Sequence, residues 1–417
     1  MYDYKMILRM ALDKKVWKEL MYIHNLYKID SRYNILKGLK VAMFILKNEK
    51  IVKHEGEYVI STFIPPFCSK AFRTVQTAVV DNNKVFQNLV LHKRVAPIST
   101  YLEITKSCNM RCKHCSSYYG SSSKEVDKEK WIKVIQELQD MGVGDIGITG
   151  GEPLLKDYVV DLVRAIDSRS KSMLFTNGTY FSKDIALQLK EAGLFSVGIS
   201  LDSCIEEVHN ENRCSSNAFS EAVNAIKNAK EAKIYTMIQT VVLRKDVNFD
   251  YLKKFFDFCK SLNVDEIKIL EPIRSGRFLT EDDNEIFFDE ESRDKLINIQ
   301  HIFNRNDYPK ITTFAYTESK EKYGCGAGVQ HTYINAEGNL MPCDFVPMSF
   351  GNVFDNDIKQ LWSKMYKHIN GPKIGCFANM VNNEISRYDE YPLNITRSCE
   401  ICKKYEKKEY TDYEKVL

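Results

Sequence analysis

Apolar and polar positions follow one rhythm to about residue 50, a broken one to residue 98, and a third beyond it. Residues 1 to about 50 place apolar side chains at helical spacing, at Ile7, Met10, Ala11, Leu20, Met21, Leu26, Ile35, Leu36, Leu39 and Met43. Residues 51–60 alternate around Glu55-Gly56-Glu57, which predicts a short hairpin, and Pro65-Pro66 interrupts the chain before another helical stretch at 70–89. From residue 99 the pattern predicts strands at 101–105, 145–149, 173–176, 196–201, 234–243 and 266–270. Helices are predicted between them near 127–141, 157–168, 182–192, 217–231 and 249–262. Short apolar strands separated by helices read as an α/β protein whose parallel sheet is closed by right-handed crossovers. In barrels of this type the chemistry sits at the carboxyl ends of the strands. Residues 325–402 form a turn-rich, cysteine-rich segment, and 403–417 read as a frayed, charged tail. The expected organisation is a mainly helical region 1–97, a core 98–310, a small domain 311–402 and a tail 403–417.

Size and charge narrow the class. A chain of 417 residues has room for two or three domains, and its 44% hydrophobic and 28% charged content excludes a disordered or membrane-embedded protein. The first hundred residues carry seventeen Lys/Arg against eight Asp/Glu, although the whole chain stands at only +3. This basic lobe suits an acidic peptide, a phosphorylated substrate or a membrane face; the alternative is a solvated helical surface. No nucleic-acid partner is expected. The first residues lack an apolar signal region, and the longest apolar run, 41–46, is too short to span a bilayer, which leaves peripheral contact as the only membrane option. Twelve cysteines without an export signal read as metal ligands, which places the protein in a reducing cytoplasm and suggests an anaerobic host.

Three of those cysteines, Cys108, Cys112 and Cys115, crowd into eight residues directly after the first core strand. Closed zinc and cubane sites take four protein ligands, whereas three thiolates suit a [4Fe–4S] cluster with one iron open to a small molecule. The alternatives are three buried thiols, or three of four zinc ligands. After the second strand comes Thr149-Gly150-Gly151-Glu152-Pro153, where two glycines allow close backbone approach and a carboxylate can receive an ammonium group. Alone, it could be a plain turn entering a helix.

The C-x3-C-x2-C run and the GGEP segment together resemble the signatures of radical SAM enzymes. That resemblance implies a partial (β/α)6 TIM-type barrel in which the open iron chelates S-adenosylmethionine. Reductive cleavage of the sulfonium then releases a 5'-deoxyadenosyl radical, with an electron donor such as flavodoxin or ferredoxin. By the same resemblance Gly150, Gly151, Glu152 and Pro153 bind the methionine amino group. Asn177, in Thr176-Asn177-Gly178, and Ser200, in an S-L-D motif, meet the ligand at the third and fourth strands. Arg213 pairs with its carboxylate, and Gln239 closes the fifth strand. For each of these softer matches the alternative is a surface polar residue at a strand end. His114 stands where the family usually carries an aromatic, and it packs on the cluster or the adenine.

Cys325, Gly338 and Cys343 have the C-x12-G-x4-C spacing that resembles the opening of a SPASM/Twitch extension, and Cys399 and Cys402 follow as C-x2-C. Cys325, Cys343, Cys399 and Cys402 would fill one auxiliary [4Fe–4S] cluster; a zinc site with the same thiolates is the alternative, and Cys376 could displace one ligand. The second cluster run of a full SPASM domain is missing, so the shorter Twitch form with one cluster is expected. Pro342-Cys343-Asp344-Phe345 resembles a segment of sulfatase-maturating relatives in which the Asp takes up a proton, making Asp344 the candidate base; it could equally cap a turn. Cys68, Cys204, Cys214 and Cys259 show no ligand spacing.

The expectation is a radical SAM oxidoreductase that abstracts hydrogen from a peptide or protein side chain. The rivals are an enzyme of small molecules or lipids, and a non-catalytic iron–sulfur carrier or sensor. GGEP argues against the carrier, which needs no site for an ammonium group. The N-terminus shows no recognisable winged-helix order, which counts against the peptide reading.

Overall fold

The computed structural model describes residues 2–118, 126–407 and 409–417. Its first elements are helices α1 (Tyr4–Ala11), α2 (Lys14–Tyr27) and α3 (Ile35–Leu46), each begun by a side-chain cap from Asp3, Asp13 or Asn34. The expected hairpin follows as β1 (Val52–His54) and β2 (Glu57–Val59), paired antiparallel. The helix predicted over 70–89 is two helices, Lys70–Thr77 and Val85–Val90. Asp81 caps a short 3-10 turn between them; an Asp-Asn-Asn run favours local side-chain bonds over a helix interior.

The strands β3 (Ser99–Glu103), β4 (Asp145–Thr149), β5 (Lys171–Thr176), β6 (Ser196–Ser200), β7 (Tyr235–Val241) and β8 (Glu266–Leu270) are the six expected, parallel and in chain order. A seventh, β9 (Lys310–Thr313), pairs with β8, so the expected boundary at 310 falls inside the sheet. β10 (His331–Ile334) then pairs parallel with β3, and β11 (Leu340–Met341) pairs antiparallel with β10. The small domain therefore begins as an extension of the core sheet, not as a separate body. Four residues give too little periodicity for β9 to stand out, and Lys310 disguises it as a loop although it is fully buried.

Alternation along the strands sorts side chains by face. Ile146, Ile148, Val197, Ile199, Ile267 and Ile269 face the helices and are inaccessible to solvent. The inner face mixes large and small residues: a Cβ on Gly147 would lie 2.5 Å from the Tyr101 ring, and one on Gly198 2.7 Å from Phe175. The sheet curls, because Lys268 on β8 comes within 5.9 Å of the Tyr101 ring on β3 and 5.7 Å of Phe175 on β5. The result is the partial barrel.

The N-terminal region is locked to this core by buried charge. Glu49 pairs with Lys310 at 2.8 Å and Lys322 at 3.1 Å, and Lys310 also donates to the carbonyls of Lys50 and Ile60. Burial alone would raise the Glu49 carboxyl, but the two ammonium groups hold it below its ordinary value. Removing the acid strands two buried cations. Glu49→Ala is thus expected to cost about 3–5 kcal/mol, read from the urea midpoint. A cost below about 1 kcal/mol, typical of surface pairs, would contradict the clamp. The tail is also tied down: Thr411 is fully buried, and Tyr413 packs on Phe44 and Tyr323 with ring centroids 5.6 and 5.3 Å away. Its aromatic residues, diluted among Lys and Glu, hide this docking from composition.

Candidate active site

The segment after β3 is irregular and carries all three cysteines of the first set. Met110 N–H donates to Cys108 Sγ at 3.4 Å, and Cys115 N–H to Cys112 O at 3.3 Å. What seats this loop is the glycine pair after β4. Gly151 N–H donates to Thr105 O at 2.7 Å and Glu152 N–H to Ser107 O at 2.8 Å. A Cβ on Gly150 would lie 2.7 Å from Thr105 O, and one on Gly151 2.3 Å from Ser107 O. Only glycine allows two backbones to approach so closely.

The Glu152 side chain turns inward and is fully buried. It accepts from Leu154 N–H at 3.0 Å, from the Thr176 hydroxyl at 2.8 Å and from Asn177 N–H at 2.8 Å. Burial pushes its carboxyl up to about 7 against the pull of those donors. These three donors fix the carboxylate at the point where β4 and β5 end. It braces the ends of β4 and β5, leaving the backbone of Gly150 and Gly151 to face the cavity. Pro153 opens the following 3-10 turn. Asn177 reaches back to the cysteine loop, its amide donating to Asn109 Oδ1 at 2.8 Å.

Ser200 and Gln239 come together at the ends of β6 and β7, paired in register. Gln239 Oε1 is buried and has no partner among the described residues. Arg213 is held in a fork by Asp202, with both bonds at 2.7 Å, and its remaining Nη1 lies 3.8 Å from Cys112 Sγ. Burial alone would raise Asp202, but Arg213 and His114 keep its carboxyl below the usual range. His114 approaches the same carboxylate at 3.8 Å, and burial lowers its imidazole to about 4, so it packs as a neutral ring.

One cavity of about 310 Å³ joins these residues to the second cysteine set. Cys108, Cys112 and Cys115 line one part of its wall, and Cys325, Cys343 and Asp344 another. Cys343 Sγ donates to Asp344 Oδ1 at 2.9 Å, and Asp344 lies 4.0 Å from His331 Nε2. The cysteines divide into two groups. Cys325 acts electrostatically on both Cys343 and Cys376, whereas Cys402 feels Cys399, with which it shares the helix Ile395–Lys404. Lys373 lies between the groups, pairing its backbone with Cys325 and feeling the charge of Cys402.

Two features escaped the sequence pattern. Lys268 lines the cavity with only 3% exposure, its ammonium within 5.1–5.9 Å of the rings of Phe63, Phe314, Phe175 and Tyr101. Among the described residues no carboxylate lies within 4.0 Å of it, and burial lowers its pKa. The signal was a charged pair, Glu266 and Lys268, at alternate positions of a strand that should be apolar throughout. The second is Gly276, at φ +54°, where a Cβ would lie 2.2 Å from Cys115 O, so the segment after β8 clamps the cysteine loop from the far side.

A barrel-mouth cysteine loop, a glycine backbone beside it and a second thiol group across one cavity define an iron–sulfur enzyme with two centres. Comparison with known proteins gives the family. Residues 102–259 match the Radical SAM superfamily and residues 325–403 an iron–sulfur cluster-binding domain, SPASM. The chain belongs to the radical SAM superfamily and carries a SPASM-type domain. It is similar to the AdoMet-dependent heme synthase of Oleidesulfovibrio alaskensis, 27% identical over 63% of this chain and 73% of that one. It is also similar to the sporulation killing factor maturation protein SkfB of Bacillus subtilis, 28% identical over 64% of this chain and 65% of SkfB. Its fold matches Streptococcus suis SuiB bound to the precursor peptide SuiA, at 16% identity and TM-score 0.57, covering 74% of this chain and 80% of SuiB.

Membership brings a [4Fe–4S] cluster and S-adenosylmethionine as cofactors, with auxiliary iron–sulfur in the C-terminal domain. The residues present fit both: three thiols on one loop, an N–H already bonded to Cys108 Sγ, and the orphaned Gln239 oxygen in the same cavity. No helix among the described residues is long and apolar enough to cross a membrane.

Proposed function

We propose that this chain is an oxidoreductase of the cytoplasm that removes hydrogen from a C–H bond of a peptide or protein side chain. The observation that carries the reading is the single cavity reaching from the three-cysteine loop to Cys343 and Asp344. A substrate bond lying in it would be within reach of both centres. Cys108, Cys112 and Cys115 would hold the first cluster, with Gly150, Gly151, Glu152, Pro153, Asn177, Ser200, Arg213 and Gln239 around S-adenosylmethionine. Cys325, Cys343, Cys399 and Cys402, or Cys376 in place of one of them, would hold a single auxiliary cluster. When bound, these groups supply a carbon-centred radical that takes hydrogen from the substrate and an acceptor for the electron left behind. Asp344, on the cavity wall, takes up the proton. Lys268, which has no carboxylate within 4.0 Å among the described residues, receives a carbonyl or carboxylate oxygen of the substrate. A peptide is favoured by the maturation protein SkfB and by the precursor-bound fold of SuiB. The competing reading, a small molecule or lipid, draws on the likeness to heme synthases.

The test supplies the reconstituted, reduced enzyme with peptide and small-molecule fractions from source cells lacking it. A peptide whose mass drops by a hydrogen pair is expected, and turnover confined to the small-molecule fraction would refute the reading. Asp344→Asn is expected to keep forming 5'-deoxyadenosine while losing about a hundredfold in oxidised peptide. Unchanged product would remove Asp344 from the mechanism.

A further inference from the structure

The first three helices are not finished by the fold. Of the 21 large hydrophobic residues exposed among the described residues, eleven lie between Tyr4 and Met43. They recur at helical spacing on each element: Leu8 and Leu12, Trp17 and Met21, then Leu36, Leu39 and Met43. Leu12 is 79% exposed and Leu36 73%. α3, Ile-Leu-Lys-Gly-Leu-Lys-Val-Ala-Met-Phe-Ile-Leu, is apolar nearly all round, yet none of its residues is buried. A helix of that composition belongs in an apolar environment.

Charge on the same region has one outward sign. Nine of the eleven Lys/Arg in residues 1–50 are exposed, and none of the five acids is. Each acid is committed inward: Asp3 to Met6 N–H and Ile51 N–H, Asp13 to Lys53 and Tyr58, Glu19 to Arg73, Asp30 to Arg32 N–H and Gln87 N–H, Glu49 to Lys310 and Lys322. Apolar side chains therefore project from a surface whose exposed formal charge is entirely positive.

We propose that α1–α3 dock on an anionic lipid bilayer, with Lys and Arg meeting headgroup phosphates while Trp17, Leu36, Leu39 and Met43 enter the interface. Both halves of the pattern are what an interfacial helix needs, and α3 is too short to span. A second copy is disfavoured because a two-fold contact would bring the same cations face to face. A captured acidic peptide would use a groove or a strand edge, and these faces are helix surfaces. The inference is independent of the substrate class proposed above.

The test uses the full-length, cluster-loaded protein and vesicles of phosphatidylcholine alone or with an equal share of phosphatidylglycerol. Co-sedimentation with the anionic vesicles is expected, falling by about tenfold or more between low and high salt, and absent on neutral vesicles. Leu36→Glu/Leu39→Glu should lower binding by about tenfold or more, and Lys14→Glu/Lys18→Glu should lower it in the same direction. Leu187→Glu, elsewhere on the exposed surface, should not. S-adenosylmethionine cleavage should stay unchanged in all three variants. Equal binding to neutral vesicles, or undiminished binding by the Leu36/Leu39 variant, would overturn the proposal. So would a stable dimer in solution that this variant dissociates, or capture of an acidic peptide without vesicle binding.

Discussion

Cys112→Ala, reconstituted anaerobically with iron and sulfide, forms no detectable 5'-deoxyadenosine and holds about four fewer irons per chain than the parent. Both parts follow from the loop. Cys112 stands between Cys108 and Cys115 on an irregular segment, and its sulfur accepts from Arg213 Nη1 at 3.8 Å. A cluster already one ligand short of four cannot lose another and keep a single open iron. Cys214→Ala is the matched control, since Cys214 is exposed and its sulfur donates to Glu211 O. Parent-like cleavage by the Cys112 variant, measured by chromatography of the nucleoside product, would remove Cys108, Cys112 and Cys115 as the ligand set.

The second large effect comes from a residue that touches no metal. Gly151→Ala is expected to lose S-adenosylmethionine cleavage by about ten- to a hundredfold, the range seen when groups supporting a metal site are disturbed. A methyl group there would meet Ser107 O at 2.3 Å and Lys106 O at 2.7 Å. Both are backbone atoms of the segment leading into Cys108, so the cysteine loop itself must shift. Gly193→Ala separates this from generic glycine strain. Gly193 has φ +101° with nothing within 4 Å, so alanine costs backbone energy there without pressing on the site. The readouts are iron content, cleavage rate and melting temperature. The account expects Gly151→Ala to fail in cleavage at near-parental stability and Gly193→Ala to do the reverse; equal cleavage in both variants would contradict it.

Much of the core was legible because parallel strands buried on both faces must be short and apolar, and helices between them must carry 3.6-residue stripes. β4 and β8 fall where the pattern put them, at 145–149 and 266–270. Strand bounds slipped by one or two residues elsewhere, as where the polar Lys171 and Ser172 open β5. β9 was too short to show a period, and the docking of β10 on β3 was not legible because pairing between segments more than 200 residues apart leaves no local trace. The cysteine spacing and the glycine pair were legible as chemistry, yet their mutual contact was not. That Glu152 turns inward also needed coordinates, since Thr176 and Asn177 lie on another strand. Lys268 was overlooked for the same reason: its ring of aromatics comes from four distant segments. The outward cations of α1–α3 are visible in composition, but the inward commitment of their five acids is visible only in the folded chain.

The most direct test of the whole account is Mössbauer spectroscopy of the anaerobically reconstituted, iron-57-labelled protein before and after S-adenosylmethionine is added. To isolate the first site, Cys325 and Cys343 are replaced by alanine in the sample. The account predicts one iron of a [4Fe–4S] cluster whose parameters shift on adding the ligand while the others stay in place. A spectrum indifferent to S-adenosylmethionine, or zinc in place of iron at Cys108, Cys112 and Cys115, would contradict it.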